Sequence, residues 1–121
     1  ATCVDVSEAD YPGEFGGERI QPMEGVSLVP AFLGERLSRE APLYWEHEGN
    51  RAVRVGDWKL VSKRSVGEWE LYDLSKDRSE LHDLAEAQPE RVKAMAARWH
   101  MWALRANVFP LTPYYKNRKR G

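Results

Sequence analysis

The residues of this chain that could do chemistry are few and scattered. The one thiol is Cys3, and the three imidazoles are His47, His82 and His100. No pair of histidines has a metal-ligand spacing such as H-x-x-x-H, and no second cysteine could complete a zinc site. The glycine-rich phosphate patterns G-x-x-x-x-G-K-[ST] and G-x-G-x-x-G do not occur. From the residues alone we expect no catalytic residue and no metal ligand in the chain.

Cys3 lies in an apolar stripe of a helical pattern, with Val4 and Val6, and has no adjacent histidine. We therefore expect a buried structural cysteine rather than a nucleophile. A single cysteine also excludes an internal disulfide.

His47 lies at the end of a predicted hairpin, among Glu46, Glu48, Asn50 and Arg51. An imidazole titrates near neutrality, and a hairpin end can reach beyond its own domain, so His47 is a candidate contact residue. The alternative is an ordinary polar turn.

Glu46 and Glu48 are two residues apart and should share a strand face, as a carboxylate pair for acid–base chemistry would require. Their place at an exposed turn favours plain surface charge instead.

These residues depend on a pattern of short strands in residues 43–74. Apolar and polar residues alternate there, with Leu43, Trp45 and His47 on one face of the first strand. The dipeptides Gly49-Asn50 and Gly56-Asp57 predict tight turns, and a polar loop containing Gly67 precedes a fourth strand. The pattern predicts a four-stranded antiparallel meander.

Residues 89–107 change to a helical period. Pro89 suits the first helical turn, and an apolar stripe follows. The stripe consists of Val92, Met95, Ala96, Trp99, Trp102, Ala103 and Ala106. We expect Trp99 and Trp102 to cover the apolar sheet face opposite Trp58 and Trp69. The predicted fold class is α+β, a small four-stranded antiparallel sheet packed against one long C-terminal helix.

The flanking segments complete one predicted domain. Residues 1–42 are predicted to be a linker region, with a helix end in 1–12, a glycine-rich loop in 13–26 and a short helix between Ser27 and Gly34. Residues 43–107 hold the sheet and the long helix. Residues 108–121 are predicted to be an extended tail with the basic residues Lys116, Arg118, Lys119 and Arg120.

Composition excludes several classes of protein. The 121 residues are 42% hydrophobic and 31% charged, which is globular usage and not that of a collagen or a disordered chain. No apolar run is long enough to span a membrane, and from the first residues we expect no signal peptide in this chain. The start at Ala1, without an initiator methionine, is expected of a piece of a longer protein.

The net charge of -1 hides an uneven distribution. Residues 1–50 contain 10 acids and 3 bases, whereas residues 51–121 contain 9 acids and 15 bases. The basic half could bind an anionic partner such as nucleic acid. The alternatives are two parts of one domain that attract each other, or a face fitted to a neighbouring domain.

Two stretches carry a resemblance to a known family. Residues 51–59 read R-A-V-R-V-G-D-W-K, and residues 70–85 read E-L-Y-D-L-S-K-D-R-S-E-L-H-D-L-A. Their order and spacing resemble the C-terminal subdomain of the arylsulfatase-type sulfatases. There a hairpin R-A-x-R-x-G-x-W-K precedes a segment E-L-Y-D-L-x-x-D-x-x-E-x-x-[ND]-L-A and a final helix.

The resemblance implies a C-terminal fragment of a sulfuric ester hydrolase, docked on an N-terminal α/β catalytic domain. In that family the nucleophile is a formylglycine made from the Cys of a Cys-x-Pro-x-Arg motif or from a Ser in its place, and calcium balances the sulfate charge. Cys3-Val4-Asp5-Val6-Ser7 lacks the Pro and the Arg. The implied formylglycine and calcium therefore belong to the parent sulfatase and not to this fragment, which would be inactive alone.

The same resemblance implies that loops of this subdomain border the substrate entrance. It makes His47, Asn50 and Arg51 candidates for the substrate cleft, although Arg51 could instead pair with Glu46 or Glu48 across the turn. The segment from Asp73 to Ala85 is expected to be structural, with side chains that cap turns and backbone amides. No nucleic acid and no membrane is expected as a partner. The compartment stays open, since many relatives are periplasmic or secreted. The alternative function is a free-standing binding module that uses the basic half, residues 51–121.

Overall fold

The computed structural model describes residues 1–111, so the basic residues of the predicted tail lie outside the described residues. The chain forms two compact units, Ala1–Arg39 and Glu40–Gly121. This boundary lies three residues before the predicted change of pattern at residues 42 and 43. The sequence predicts one domain overall, whereas the structure has two compact units.

The first unit consists of short elements. Helix α1 covers Thr2–Val6, strands β1 and β2 cover Glu14–Phe15 and Glu18–Arg19, and helix α2 covers Val29–Phe32. The segment predicted to be loop therefore contains a small antiparallel hairpin. Its turn is Gly16-Gly17, where both residues have a positive φ that glycine adopts without steric cost. The sequence prediction missed this hairpin because its strands are only two residues long.

One side-chain oxygen of α1 bonds to the backbone at the start of α2. The hydroxyl of Thr2 accepts a hydrogen bond from the backbone N–H of Leu28 at 3.0 Å. The hydroxyl of Ser27 accepts from the N–H of Val29 at 3.2 Å, but the N-cap of α2 is Leu28, one residue after the predicted cap Ser27. Cys3 is exposed, which corrects the prediction of a buried cysteine. The physical reason is the length of α1: five residues form little more than one turn, and none of them is buried.

The second unit contains the predicted meander. Its strands are β3 Leu43–His47, β4 Asn50–Val55, β5 Trp58–Ser62 and β6 Glu70–Asp73. They hydrogen-bond in the order β3-β4-β5-β6, and every pair is antiparallel. The four-stranded sheet is thus confirmed.

The first turn differs from the prediction by one residue. His47 pairs with Asn50, so the two-residue turn is Glu48-Gly49 and not Gly49-Asn50. Both turn residues have a positive φ, at 52° and 85°, which matches the twist of a tight hairpin. Glu48 therefore leaves the strand, and it does not share a strand face with Glu46. The backbone N–H of Gly49 instead donates to the carboxylate of Glu46 at 2.7 Å.

Helix α3 covers Pro89–Arg105 and lies on one face of the sheet. Val53, Leu60 and Leu71 are directly opposite one another on β4, β5 and β6, and all three are fully buried. The helix adds Met95, Trp99 and Ala103 to this core. Each fully buried Leu contributes about 1.5–3 kcal/mol relative to exposure. The α+β architecture predicted from the change of period is confirmed.

Aromatic rings fill the space between helix and sheet. Trp99 is 2% exposed and meets the ring of Trp69 edge-on, with centroids 6.0 Å apart. Trp102 stacks parallel to Tyr44 at 5.2 Å. Trp58 also packs against the core, and the guanidinium carbon of Arg91 lies over its ring, 4.0 Å from the centroid. Trp99 and Trp102 of the helix therefore do pack against the sheet, and Trp58 and Trp69 contact the same core.

The segment after β6 is held by aspartates that bind backbone amides. The Oδ1 atom of Asp83 accepts from the N–H groups of Leu71 and Ala85, at 2.9 and 2.8 Å. Asp73 accepts from the N–H and the hydroxyl of Ser75. These contacts are caps of turns and backbone amides of the kind expected in the segment from Asp73 to Ala85. No described helix is long and apolar enough to cross a membrane.

Candidate functional site

The sheet has one face that α3 covers and one face that it leaves open. Successive side chains of a strand point to opposite faces, so residues out of phase with the buried core lie on the open face. These are Trp45, His47, Asn50, Ala52, Arg54, Lys59 and Val61. The loop after β6 adds Leu74, Ser75, Arg78 and Glu80 at one side. Together with Arg51, Asp57, Ser62 and Lys63 they line a groove of about 970 Å³, which we call the open-face groove. Its size is within the range of about 300–1,000 Å³ typical of small-molecule sites.

All three predicted cleft residues are among those that line this groove. His47 and Asn50 are directly opposite one another at the end of the β3–β4 hairpin, and both line the groove. The side chain of Asn50 also holds the turn, since its amide donates to the carbonyl of His47 at 2.9 Å. Its Oδ1 atom accepts from the N–H of Arg64 at 3.1 Å. The exposed imidazole of His47 is therefore the freer of the two groups for contact with a ligand.

The third predicted residue, Arg51, extends its guanidinium to the other face of the sheet. It lies 4.5 Å from the ring centroid of Trp69 and 5.6 Å from that of Trp99. Its Nη2 atom donates to the hydroxyl of Ser62 at 2.7 Å and to the carbonyl of Gly67 at 3.1 Å. Burial lowers the pKa of Arg51 from its ordinary value, because desolvation disfavours the charged form. The described residues show no ion pair of Arg51 with Glu46 or Glu48.

Cations form most of the charge of the open-face groove. Lys59 pairs with Glu80 at 2.5 Å, and both side chains are more than two-thirds covered. Arg54 donates through Nε to the carbonyl of Gly56 at 2.8 Å, with Asp57 4.0 Å from its Nη2. Arg78, an exposed residue, adds a further guanidinium from the loop after β6. Basic side chains outnumber carboxylates in the groove lining, so the groove should attract an anionic ligand.

An exposed aromatic ring lies beside these charges. Trp45 is 45% exposed, although it lies within a strand. Its backbone is fixed from the opposite face, because the indole N–H of Trp99 donates to its carbonyl oxygen at 3.0 Å. Trp45 directly opposes Ala52, whose small side chain leaves the indole accessible. The groove therefore combines an aromatic surface with cationic groups.

A second, smaller cavity of about 400 Å³ lies near the start of α3, beside Asp73, Asp77 and His82. The amides of His82 and Leu81 donate to Oδ2 of Asp77 at 2.8 and 2.9 Å. These bonds hold the pKa of the Asp77 carboxyl below its ordinary value of 3.8. Because the Asp77 carboxylate accepts hydrogen bonds from backbone amides, it stabilises the loop and is a poor general base.

The residues described here do not fit either group that the sulfatase resemblance implies for the parent. Within residues 1–111, no cluster of three or more His, Cys, Asp and Glu side chains could hold a metal ion. The exposed Cys3 lies in α1, in a sequence without the required Pro and Arg. We therefore derive no chemical step through calcium or formylglycine from these residues.

Sequence reasoning missed Trp45, Arg54 and Lys59 as groove residues, although a signal was present. All three have the same phase as His47 in the alternating pattern, and the same phase argument excludes Arg51 from that face. Arg78 and Glu80 could not be found in this way. They reach the groove through the path of the loop after β6, which no periodicity encodes.

Comparisons with known proteins confirm the resemblance to sulfatases. An uncharacterized sulfatase of Schizosaccharomyces pombe is 30% identical to this chain, and the match covers 88% of the chain and 20% of that protein. The chain thus spans about one fifth of the length of the curated relative that it matches. No protein-family model matches the chain.

Solved structures share its fold. A candidate sulfatase from Bacteroides thetaiotaomicron VPI-5482 is 25% identical with a TM-score of 0.60, over 88% of this chain and 24% of that one. Ps i-CgsB, solved in complex with k-i-k-neocarrahexaose, is 26% identical with a TM-score of 0.53, over 66% of this chain and 19% of that one. A 2-O GAG sulfatase, at 24% identity and a TM-score of 0.59, shows the same fold over 88% of this chain and 24% of its own. The chain therefore corresponds to a small part of these larger proteins.

Proposed function

We propose that this chain is the C-terminal subdomain of a sulfatase, a sulfuric ester hydrolase of the arylsulfatase type. It completes the fold of its parent and borders the substrate cleft. The observation that carries the proposal is the extent of the match: 88% of this chain aligns with only 20% of a sulfatase. A segment of that size is a subdomain, and the partner is then the α/β catalytic domain of the same polypeptide.

In this proposal the chain is catalytically silent by itself. Hydrolysis of a sulfate ester needs an activated nucleophile and several positive groups around one anion. The described residues supply cations in the open-face groove, but Cys3 lies outside a formylglycine motif and no metal cluster is present among them. The chemistry would therefore come from the catalytic domain, with formylglycine and calcium there.

The contribution of this chain to the cleft would come from the end of the β3–β4 hairpin. His47 and Asn50 project there from the open face, and the exposed imidazole has nitrogen atoms that can form hydrogen bonds with a ligand. Arg51 would act indirectly: its contacts to Ser62 and Gly67 hold the neighbouring strand and loop in place. We thus assign ligand contact to His47 and Asn50, and positioning to Arg51.

The test begins with the coding sequence on the 5′ side of the Ala1 codon. We expect an open reading frame that continues upstream and encodes a Cys-x-Pro-x-Arg or Ser-x-Pro-x-Arg motif. The long product and the 121-residue chain are then purified and assayed with 4-nitrophenyl sulfate and with a carbohydrate sulfate. The carbohydrate probe is included because Ps i-CgsB, a structural relative, was solved with k-i-k-neocarrahexaose.

The long product should hydrolyse at least one of the two esters, and the 121-residue chain neither. Cys3→Ala in the long product is the matched control and should leave turnover unchanged. Turnover by the 121-residue chain itself, or an upstream frame without the motif, would overturn the proposal.

A further inference from the structure

Part of the positive charge in the open-face groove has no partner in the described structure. Arg54 and Lys59 each have an acidic neighbour, Asp57 and Glu80. Within residues 1–111, the groove residues Lys63 and Arg78 make neither an ion pair nor a side-chain hydrogen bond, and both are exposed. Cations that the fold itself does not use can bind an anion without first breaking an internal contact. The charge of the groove therefore favours a negatively charged ligand.

The exposed indole of Trp45 indicates the shape of the ligand, in addition to its charge. The ring of Trp45 is flanked by the small side chain of Ala52, and both line the groove with Val61. An aromatic face is electron-rich, so it packs well against the polarised C–H groups on one face of a sugar ring. Burying such a ring of the protein also removes a large apolar surface from water. The ligand should hence contain both a flat C–H-rich ring and an anionic group.

Hydrogen-bonding groups around the Trp45 ring give further information on the chemical class of the ligand. His47 offers an exposed imidazole, and Asp57 and Glu80 offer carboxylate oxygens that accept hydrogen bonds. Sugar hydroxyls donate to such oxygens.

We infer that the open-face groove binds an anionic oligosaccharide, with a sugar ring on Trp45 and a sulfate or carboxylate group on Arg78. The inference rests on the proposed function and deepens it, since it assigns the organic part of the sulfate ester to a chemical class. A guanidinium binds a planar pair of anionic oxygens through two hydrogen bonds, which favours Arg78 for this role. Nucleic acid, the other polyanion that a basic groove can bind, is the competing outcome of the test.

The test uses the purified 121-residue chain at low salt and needs no turnover. It is titrated with a heparin-derived hexasaccharide, the chemically desulfated hexasaccharide, a single-stranded DNA hexanucleotide and inorganic sulfate. Tryptophan fluorescence gives the affinity, and amide shifts in a ¹H–¹⁵N spectrum give the location. We expect the heparin hexasaccharide to bind most tightly, with shifts confined to residues 43–63 and 74–80.

Two variants and one matched control localise the site. Trp45→Ala and Arg78→Gln should each weaken binding of the heparin hexasaccharide about three- to tenfold. Arg98→Gln changes the charge equally but lies on α3, outside the groove lining, and should bind as the unaltered chain does. The spectrum of each variant shows whether it is folded.

Three results would each overturn the inference: no binding of the heparin hexasaccharide, equal or tighter binding of DNA, or unchanged affinity in both folded groove variants. Failure of this kind is distinguishable from failure of the proposed function, which depends on the upstream motif and on turnover by the long product. A parent without sulfatase activity would in turn leave the binding result standing.

Discussion

The guanidinium of Arg51 lies 4.5 Å from the ring centroid of Trp69, on the face of the sheet that α3 covers. The two residues are on different segments, β4 and the approach to β6, and the same guanidinium also bonds the carbonyl of Gly67. Arg51 thus joins the start of β4 to the loop between β5 and β6. It holds the hairpin end from which His47 and Asn50 project, without reaching the groove through its own charge.

Removal of this guanidinium should destabilise the fold. Arg51→Ala breaks hydrogen bonds from a charged donor and the contact with Trp69, and we expect the free energy of unfolding to fall by about 2–4 kcal/mol. Arg51→Lys should recover only part of the loss, because an ammonium lacks the planar fork. Urea denaturation measures both. Arg54→Ala, on the open face, is the control and should cost less than about 1 kcal/mol; equal losses at the two positions would contradict the assignment.

The hydrogen bond from the indole N–H of Trp99 should contribute to stability in addition to the packing of its ring. Trp99→Phe leaves the carbonyl of Trp45 without its donor inside the structure and opens a small cavity, at an expected cost of about 2–3 kcal/mol. Trp102→Phe makes the same chemical change at a half-buried position with no described indole hydrogen bond, and about 1 kcal/mol is expected. Chemical denaturation of both variants is the measurement. A larger loss for Trp102→Phe would argue against the role of the N–H group.

Stability should decrease in acid because of Asp77. Its pKa in the folded chain lies below the ordinary value of 3.8, so the stabilisation is present above that value. It is lost as the pH falls through 3.8 towards the folded pKa, since protonation weakens the bonds from the amides of His82 and Leu81. We expect the melting temperature to fall across this interval, and Asp77→Asn to reduce the slope.

Asp73 has a lowered pKa as well, chiefly because the Ser75 hydroxyl donates to it. Asp73→Asn should therefore reduce the same slope, and the double variant with Asp77→Asn should reduce it most. Thermal melts between pH 2 and 6 test both statements. An unchanged slope in all three variants would show that these aspartates do not control the acid limb.

Gly67 should not tolerate a side chain. A Cβ at this position would lie 1.9 Å from the carbonyl oxygen of Lys63, so the backbone would have to move. Gly67→Ala is expected to cost about 1–3 kcal/mol, the usual range for overpacking. Gly13→Ala is the matched control, because nothing lies within 4 Å of the added atom, and a change within about 0.5 kcal/mol is expected. Thermal denaturation of the two variants compares them, and similar midpoints would contradict the argument.

The sequence by itself determined the sheet, the long helix and their contact. Alternation in residues 43–74 and the 3.6 period from Pro89 are local properties, and burial of one face is their direct consequence. For that reason Trp99 and Trp102 could be assigned to the interface before the fold was known. The motif of residues 70–85 likewise predicted its own role, because Asp73, Asp77 and Asp83 bind amides close to them in the chain.

Only the tertiary structure decided what surrounds the candidate site. Arg51 and Asn50 are neighbours in sequence, yet the period of two sends their side chains to opposite faces, and the burial of Arg51 depends on Trp69 and Trp99. The exposure of Cys3 follows from the shortness of α1, which the apolar pattern did not indicate. The groove requires Arg78 and Glu80, brought by a loop whose path depends on contacts distant in sequence, such as Lys59 with Glu80. Periodicity predicts the face of a strand or helix on which a side chain lies. A site formed by several segments also depends on tertiary contacts that bring distant parts of the chain together.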